Sequence, residues 1–275
     1  VVAPILVLHP QPVNFRKAIE FNLEPSLYSE RVLSAFVAAA AEMKQKKFPV
    51  HIKFNTGLNR LGFQNKASKR IAFELSKENT IKVKSIFSHL AASEDSEERA
   101  FTLRQIDLFS EICEAFKSGY GKLPVRHLCN TSGVVNYPGA AFDMVRCGIG
   151  LYGYDNRIGC SSDLLPVLSL KSVISQIHEL KKGDSVGYNR AYVADAKKTI
   201  ATLPLGHADG IGRQYGNGVG YVSIQNQKAP IVGNVCMDMI MIDVSDIDCQ
   251  EGDHVVVFDA VTTAEHFAES GKTIS

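Results

Sequence analysis

The sequence predicts an α/β domain built on parallel strands, followed by a smaller, mainly β domain. Three observations carry this. Over the first 150 or so residues, short apolar runs alternate with longer helical patterns, the order that gives parallel pairing through right-handed crossovers. The first run, Pro4 to Leu8 (PILVL), is apolar throughout, the form of a strand buried on both faces. After about Ser161 the texture changes to short strands separated by Gly, Asn and Asp, which reads as an all-β domain.

The elements follow in order. Val13 to Phe21 suits a short helix and Pro25 to Tyr28 a strand. Ser29 is placed to cap the helix-forming run ERVLSAFVAAAAEMKQ. Val50 to Phe54 (VHIKF) is a strand; Lys66 to Lys77 is a helix with Ile71 and Leu75 four apart on one face. Val83 to His89 is a strand, and Ser93 to Phe116 a long helix opened by Glu94 and Asp95, whose charges suit a helix N-terminus. Val125 to Cys129 is a strand followed by a turn of helix, and Phe142 to Tyr152 contains a further strand. An open doubly wound sheet and a β/α barrel both fit this pattern. No G-x-G-x-x-G follows the first strand, so the dinucleotide-binding version loses weight.

The second domain begins with alternation over Val167 to His178 and a turn at Lys181-Lys182-Gly183-Asp184. Short strands are expected over Thr199–Leu205, Gly220–Ile224, Ala229–Val232, Met239–Val244 and Val255–Phe258, with Asn217-Gly218 as a hairpin signal. The expected division is residues 1–160 and 161–275.

Composition excludes several functions. Lys+Arg (30) nearly cancels Asp+Glu (29), for a formal charge of +1, so no general attraction to nucleic acid or anionic membrane is expected. No apolar run approaches the roughly 20 residues of a membrane span. The six cysteines include no C-x-x-C pair, and such sparse cysteines fit a reducing, cytoplasmic setting. The eight histidines lack metal-ligand spacing, so no metal is expected.

Polar residues collect after the strands of the first domain: Asn55-Thr56-Gly57-Leu58-Asn59-Arg60, then His89, then Asn130-Thr131-Ser132-Gly133, then Arg146-Cys147-Gly148-Ile149-Gly150. In a β/α barrel the chemistry sits at that end of the strands. Singly, Arg60 reads as a solvated loop residue, His89 as a core histidine, and Asn130 as a helix cap. Together they suggest a phosphate cradle and a carboxylate clamp in an enzyme acting on a phosphate-bearing small molecule.

The motifs HIKFNTGLNRLGF (51–63), FSHLAASED (87–95), HLCNTSGVV (127–135) and FDMVRCGIGLYGY (142–154) resemble the barrel of the alanine racemases. GDSVGYNRAY (183–192), ATLPLGHADGIGR (201–213) and PIVGNVCMDM (230–239) resemble their C-terminal β domain. The resemblance implies a TIM-like α/β barrel, pyridoxal 5′-phosphate as cofactor, and interconversion of L- and D-alanine for peptidoglycan. It implies that Tyr188 moves the α-proton, acting in the partner's site of a head-to-tail homodimer, with His89 and Arg146 hydrogen-bonded toward it. Arg146 would also face the pyridine nitrogen. Asn130, Thr131, Gly148 and Ile149 would form the phosphate site, Thr131 replacing the usual serine. Arg60 and the amide of Met237, in the Cys236-Met237-Asp238 motif, would bind the substrate carboxylate. Lys53 would be the often carbamylated lysine that orients the arginine.

The departures carry expectations too. The family's catalytic lysine lies in a V-K-A-[DN]-A-Y-G-H-G motif on the first barrel strand, and no such motif occurs here. PILVL resembles the third strand, so two barrel strands, and a last strand with another tyrosine, are expected to be missing from a partial racemase. Such a polypeptide is expected to be inactive and poorly folded alone. Asn55 stands where aspartate is usual, and His207 where tyrosine is usual. Alternatives are a non-catalytic racemase-like domain, including one fused to a cell-wall ligase, and another barrel-type pyridoxal racemase or decarboxylase.

Overall fold

The computed structural model describes residues 3–155 and 163–273, in two compact units, residues 1–164 and 165–275. The expected junction at 160/161, with Cys160, lies outside the described residues.

The first unit holds a five-stranded parallel sheet of β1 (Ile5–Val7), β2 (Leu23–Leu27), β3 (Phe48–Lys53), β4 (Ile81–Phe87) and β5 (Val125–His127). Spatial order equals chain order. A doubly wound sheet reverses direction partway, so the unbroken order marks an arc of a barrel and decides between the two architectures. The crossover helices are α1 (Phe15–Glu20), α2 (Glu30–Glu42), α3 (Ser68–Lys77) and α4 (Arg99–Tyr120); α5 (Thr131–Asn136) follows β5. Ser29 caps α2, its hydroxyl accepting the Val32 N–H. Leu27, Val50 and Ile52 from the sheet pack with Phe36, Ile71, Phe109 and Phe116 from the helices in one buried core. The opposite face of the sheet is polar: Glu24, His51, Lys53, Ser85 and His127 are all buried there.

Three expectations for this unit are corrected. β1 is an edge strand, with Ile5 41% exposed, rather than buried on both faces. Helix α4 begins at Arg99, well after Glu94-Asp95. Asp95 instead accepts the Glu97 N–H in a turn, and Ser93 donates to Asn130, so the acidic pair belongs to a loop. The stretch 142–152 forms no strand: a single bridge joins Met144 to His127, and Ile149–Tyr152 is a 3-10 turn. Arg126 clamps Asp143 with two guanidinium hydrogen bonds, which turns the chain there instead of extending it.

The second unit is a seven-stranded antiparallel sheet. It comprises β6 (Leu170–Val173), β7 (Gln176–Leu180), β10 (Lys198–Leu203), β11 (Tyr221–Ile224), β12 (Gln227–Val232), β13 (Ile240–Asp243) and β14 (His254–Phe258). A small ribbon pairs β8 (Ser185–Val186) with β9 (Tyr192–Val193). Ala201, Leu203, Val222, Ile231, Ile242 and Val255 fill its core. One short helix, α6 (Ala264–Ser270), breaks the all-β expectation; its Phe267 stacks on Tyr215 at 4.3 Å. The hairpin sits elsewhere than predicted. Asn217-Gly218 is a turn leading into β11, whereas the tight link from β11 to β12 is Gln225-Asn226, both with positive φ (50° and 65°). A two-residue turn of that hand matches strand twist, and Asn226 tolerates the conformation.

Candidate active site

The chemistry of the first unit gathers beyond the C-terminal ends of its strands. A cleft of about 390 Å³ is lined by Leu8, His9, Lys53, Arg60, Leu61, Phe87, His89 and Arg146. Three of these residues are cationic and none is acidic. Lys53 ends β3 and is 6% exposed, and burial, then the charges of Arg60 and Arg146, push its ammonium down. Its Nζ lies 5.7 Å from the centre of the Phe87 ring, and the Arg146 guanidinium lies 5.2 Å from the same ring, within reach of its negative π-face.

Among the described residues, Arg146 is held by neutral acceptors. Its Nη2 donates to the carbonyls of Ser88 (2.7 Å) and Leu128 (3.0 Å) and to His89 Nδ1 (3.1 Å), and its Nη1 donates to His127 Nδ1 (2.5 Å). No carboxylate answers it among the described residues, and burial brings its pKa down to about 10. Burial first, then the charge of Arg146, depress His89 to about 4 and His127 to about 3. Both imidazoles are therefore neutral at pH 7, which lets them accept from the guanidinium.

Beside this cluster, Thr131 opens α5 and its Oγ1 accepts from the amides of Gly148 (3.0 Å) and Gly150 (3.2 Å). Asn130 caps the helix, accepting from Gly133 N–H. A Cβ on Gly150 would stand 2.9 Å from Thr131 Cγ2, so a residue without a side chain is needed at that approach. The hydroxyl, the two amides that converge on it and the start of α5 lie together. Ile149, expected with Gly148 in this site, lies between the two residues whose amides donate to Thr131.

Arg60 is exposed, in a loop shaped by Asn55. Asn55 Oδ1 accepts the N–H groups of Gly57 and Asn59, and its Nδ2 donates to Asn59 Oδ1 (2.7 Å). Asn55 thus braces the loop that carries Arg60.

The second unit has its own cleft, of about 500 Å³, lined by Tyr188, His207, Arg213, Asn234, Val235, Cys236, Met237 and Asp238. Tyr188 is 76% exposed. It follows Gly187 (φ 74°) and precedes Asn189 and Arg190, also at positive φ, and Asn234 Nδ2 donates to its carbonyl. His207 N–H and Ala208 N–H donate to the carbonyls of Cys236 and Met237, and Arg213 Nη2 lies 3.3 Å from His207 Nε2. Two segments distant in sequence, GHADGIGR and NVCMDM, are thereby locked together.

Lys53, Arg60, His89 and Arg146 thus share one cleft, with Asn130, Thr131 and Gly148 beside it. Tyr188, Cys236, Met237 and Asp238 share the other. Sequence reading gave no role to His127 or Arg213, and named Gly150 only within the run 146–150. His127, like His51 and Ser85, is a buried polar residue on a strand of the parallel sheet. Among the described residues, no group of His, Cys, Asp and Glu could hold a metal ion, and no helix is long and apolar enough to cross a membrane.

Residues 1–156 match the family model described as alanine racemase, N-terminal domain, and residues 167–275 that of the alanine racemase C-terminal domain. The chain is 34% identical over 261 residues to the alanine racemase of Clostridium tetani, covering 93% of this chain and 67% of that protein. Among solved structures, it resembles the alanine racemase of D-cycloserine-producing Streptomyces lavendulae, with a TM-score of 0.91 at 25% identity, covering 100% of this chain and 74% of that one. It also resembles an alanine racemase from Bartonella henselae with covalently bound pyridoxal phosphate, with a TM-score of 0.85 at 27% identity, covering 99% and 74%. The chain belongs to the alanine racemase family.

Proposed function

We propose that the protein takes part in pyridoxal 5′-phosphate-dependent interconversion of L- and D-alanine, as a cytoplasmic supply of D-alanine for peptidoglycan. The observation that carries this reading is Arg146, a half-buried cation on neutral acceptors beside a cleft with two further cations and, among its described lining residues, no carboxylate. That donor set suits a ligand with an anionic end and an acceptor nitrogen. The Thr131 hydroxyl, its oxygen accepting from the Gly148 and Gly150 amides, would donate to the phosphate, with Asn130, Gly148 and Ile149 around it. Arg146 would face the pyridine nitrogen, and a fixed cation there disfavours its protonation. Bound in this way, the cofactor would supply an electron-withdrawing ring that acidifies the α-carbon of the amino acid.

The chain's own residues do the rest. Arg60 would hold the substrate carboxylate in one cleft. In the other, the Met237 amide contributes to the carboxylate site, and Tyr188 is the proton carrier on one face, serving the partner copy in a head-to-tail homodimer. A free tyrosine has a pKa of about 10, so near-neutral chemistry requires basic neighbours when the site is assembled. Residues 1–275 contain no lysine in the family's V-K-A-[DN]-A-Y-G-H-G setting, and by themselves they supply one of the two bases.

The test separates binding from turnover. The 275-residue polypeptide should bind pyridoxal 5′-phosphate, read by absorbance, and give no racemisation of L-alanine on chiral chromatography. Joined to the lysine segment of a relative, it should racemise, and Tyr188→Phe should then lose about a hundred- to ten-thousand-fold in rate. Failure to bind the cofactor would overturn the cofactor site; turnover by residues 1–275 alone would overturn the one-base assignment.

A further inference from the structure

A line of buried polar side chains crosses the sheet of the first unit, one from each of four neighbouring strands, and ends on Arg146. His127 on β5 accepts from Arg146 Nη1 at Nδ1 (2.5 Å), and its Nε2 lies 2.7 Å from Ser85 Oγ on β4. Ser85 Oγ lies 2.5 Å from Nδ1 of His51 on β3, and His51 Nε2 lies 2.8 Å from Oε2 of Glu24 on β2. Lys84 Nζ closes the far end on Glu24 Oε1 at 2.7 Å. Glu24, His51, Ser85 and His127 are each at most 6% exposed.

The proton positions follow from the two ends. A guanidinium only donates and a carboxylate only accepts. His127 Nδ1 must therefore accept, which leaves its Nε2–H to donate to Ser85. The Ser85 hydroxyl must then donate to His51 Nδ1, and His51 Nε2–H donates to Glu24. Reversing any one bond sets two donors, or two acceptors, face to face at another. Both ends demand the same direction, so the chain is fully satisfied and polarised one way. Burial pushes the imidazoles of both His51 and His127 down, so both stay in the neutral form that this arrangement needs.

Buried polar lines of this kind seldom gain stability over apolar packing, so a positional role deserves weight. The Arg146 segment belongs to no strand; its backbone is tied by the bridge at Met144 and the Arg146 N–H to Cys129 carbonyl bond. The aim of the guanidinium is set by His127, His89 and the carbonyls of Ser88 and Leu128, and the buried line reaches it through His127.

We propose that Glu24 and His51 are positioning residues: acting through Ser85 and His127, they fix the guanidinium of Arg146 at the cleft. This deepens the reading of Arg146 as the cofactor-facing cation. The tests read no turnover, so failure here leaves that reading standing, and failure of that reading leaves these results intact.

The first measurement is the ¹⁵N spectrum of histidine-labelled 275-residue chain at pH 7. His51 and His127 should both be neutral and protonated at Nε2; an Nδ1–H form or an imidazolium at either overturns the proposal. The second is solvent exchange of the Arg146 guanidinium protons. Glu24→Gln, nearly isosteric, should speed it about tenfold; unchanged exchange in a folded variant overturns the proposal. In a Ser85→Ala background the same substitution should add nothing, whereas an undiminished effect would show coupling by another route and would also overturn it. The first two measurements leave the chain of hydrogen bonds uninterrupted at Ser85, so they decide the matter even if Ser85→Ala does not fold.

Discussion

Thr131 shows how much one hydroxyl organises. It accepts from two amides, those of Gly148 and Gly150, and a hydrogen bond of this kind contributes about 0.5–1.5 kcal/mol. Thr131→Val removes that acceptor and the group that would meet a phosphate oxygen. Cofactor affinity should fall about tenfold, read by absorbance titration, with Thr131→Ser close to the parent. Equal affinity in all three proteins would remove Thr131 from the site. Arg146 makes a related point: it is anchored by two histidines and two backbone carbonyls, partners that leave its positive charge uncancelled.

At the scale of elements, the loop after β3 is held by backbone geometry as much as by side chains. Gly62 sits at φ +135°, and a Cβ there would stand 2.5 Å from the backbone of Phe54 and Asn55. The loop folds back so that Phe63 N–H donates to Lys53 carbonyl and Asn55 N–H to Phe63 carbonyl. Gly62→Ala must shift main chain, and the strained φ alone costs about 1–3 kcal/mol. Its unfolding free energy, read from urea denaturation, should drop by at least that much, and Arg60, carried by the same loop, should lose its place. A midpoint equal to the parent would contradict the close approach. The core tolerates truncation no better: Phe116→Ala, at a fully buried ring against Phe54, should cost about 3–5 kcal/mol.

For the whole molecule, the polar interior links stability to pH. His51, His89 and His127 are neutral in the fold with depressed values, about 4 for His89 and about 3 for His127. An unfolded chain protonates them near 6.5. Below that value the unfolded state binds more protons, so stability falls with pH, by up to about 1.4 kcal/mol per unit for each histidine. The loss continues until the folded values are reached. Glu24, held below the ordinary carboxylate range by Lys84 and His51 against the opposing effect of burial, adds a loss of the same sign at lower pH. Urea midpoints should be steady above pH 7 and fall steeply from 6.5 to 4. A flat profile over that window would mean that the histidines are charged in the fold.

Local patterns in the sequence determined most elements of both units, because strand, cap and turn preferences act over a few residues: strands form within PILVL and VHIKF, and Ser29 caps its helix. The motifs also named most of the residues that line the two clefts. Tertiary structure decided the remainder. Only the unbroken strand order showed an arc of a barrel, since pairing between distant strands leaves no local trace. Only the fold showed that residues 142–152 turn instead of extending, because the Arg126–Asp143 clamp joins positions seventeen apart. The line from Glu24 to Arg146 was hidden for the same reason. Its members are scattered over more than 120 positions and become neighbours when parallel strands bring one side chain each to a common face, where low dielectric makes every proton position matter.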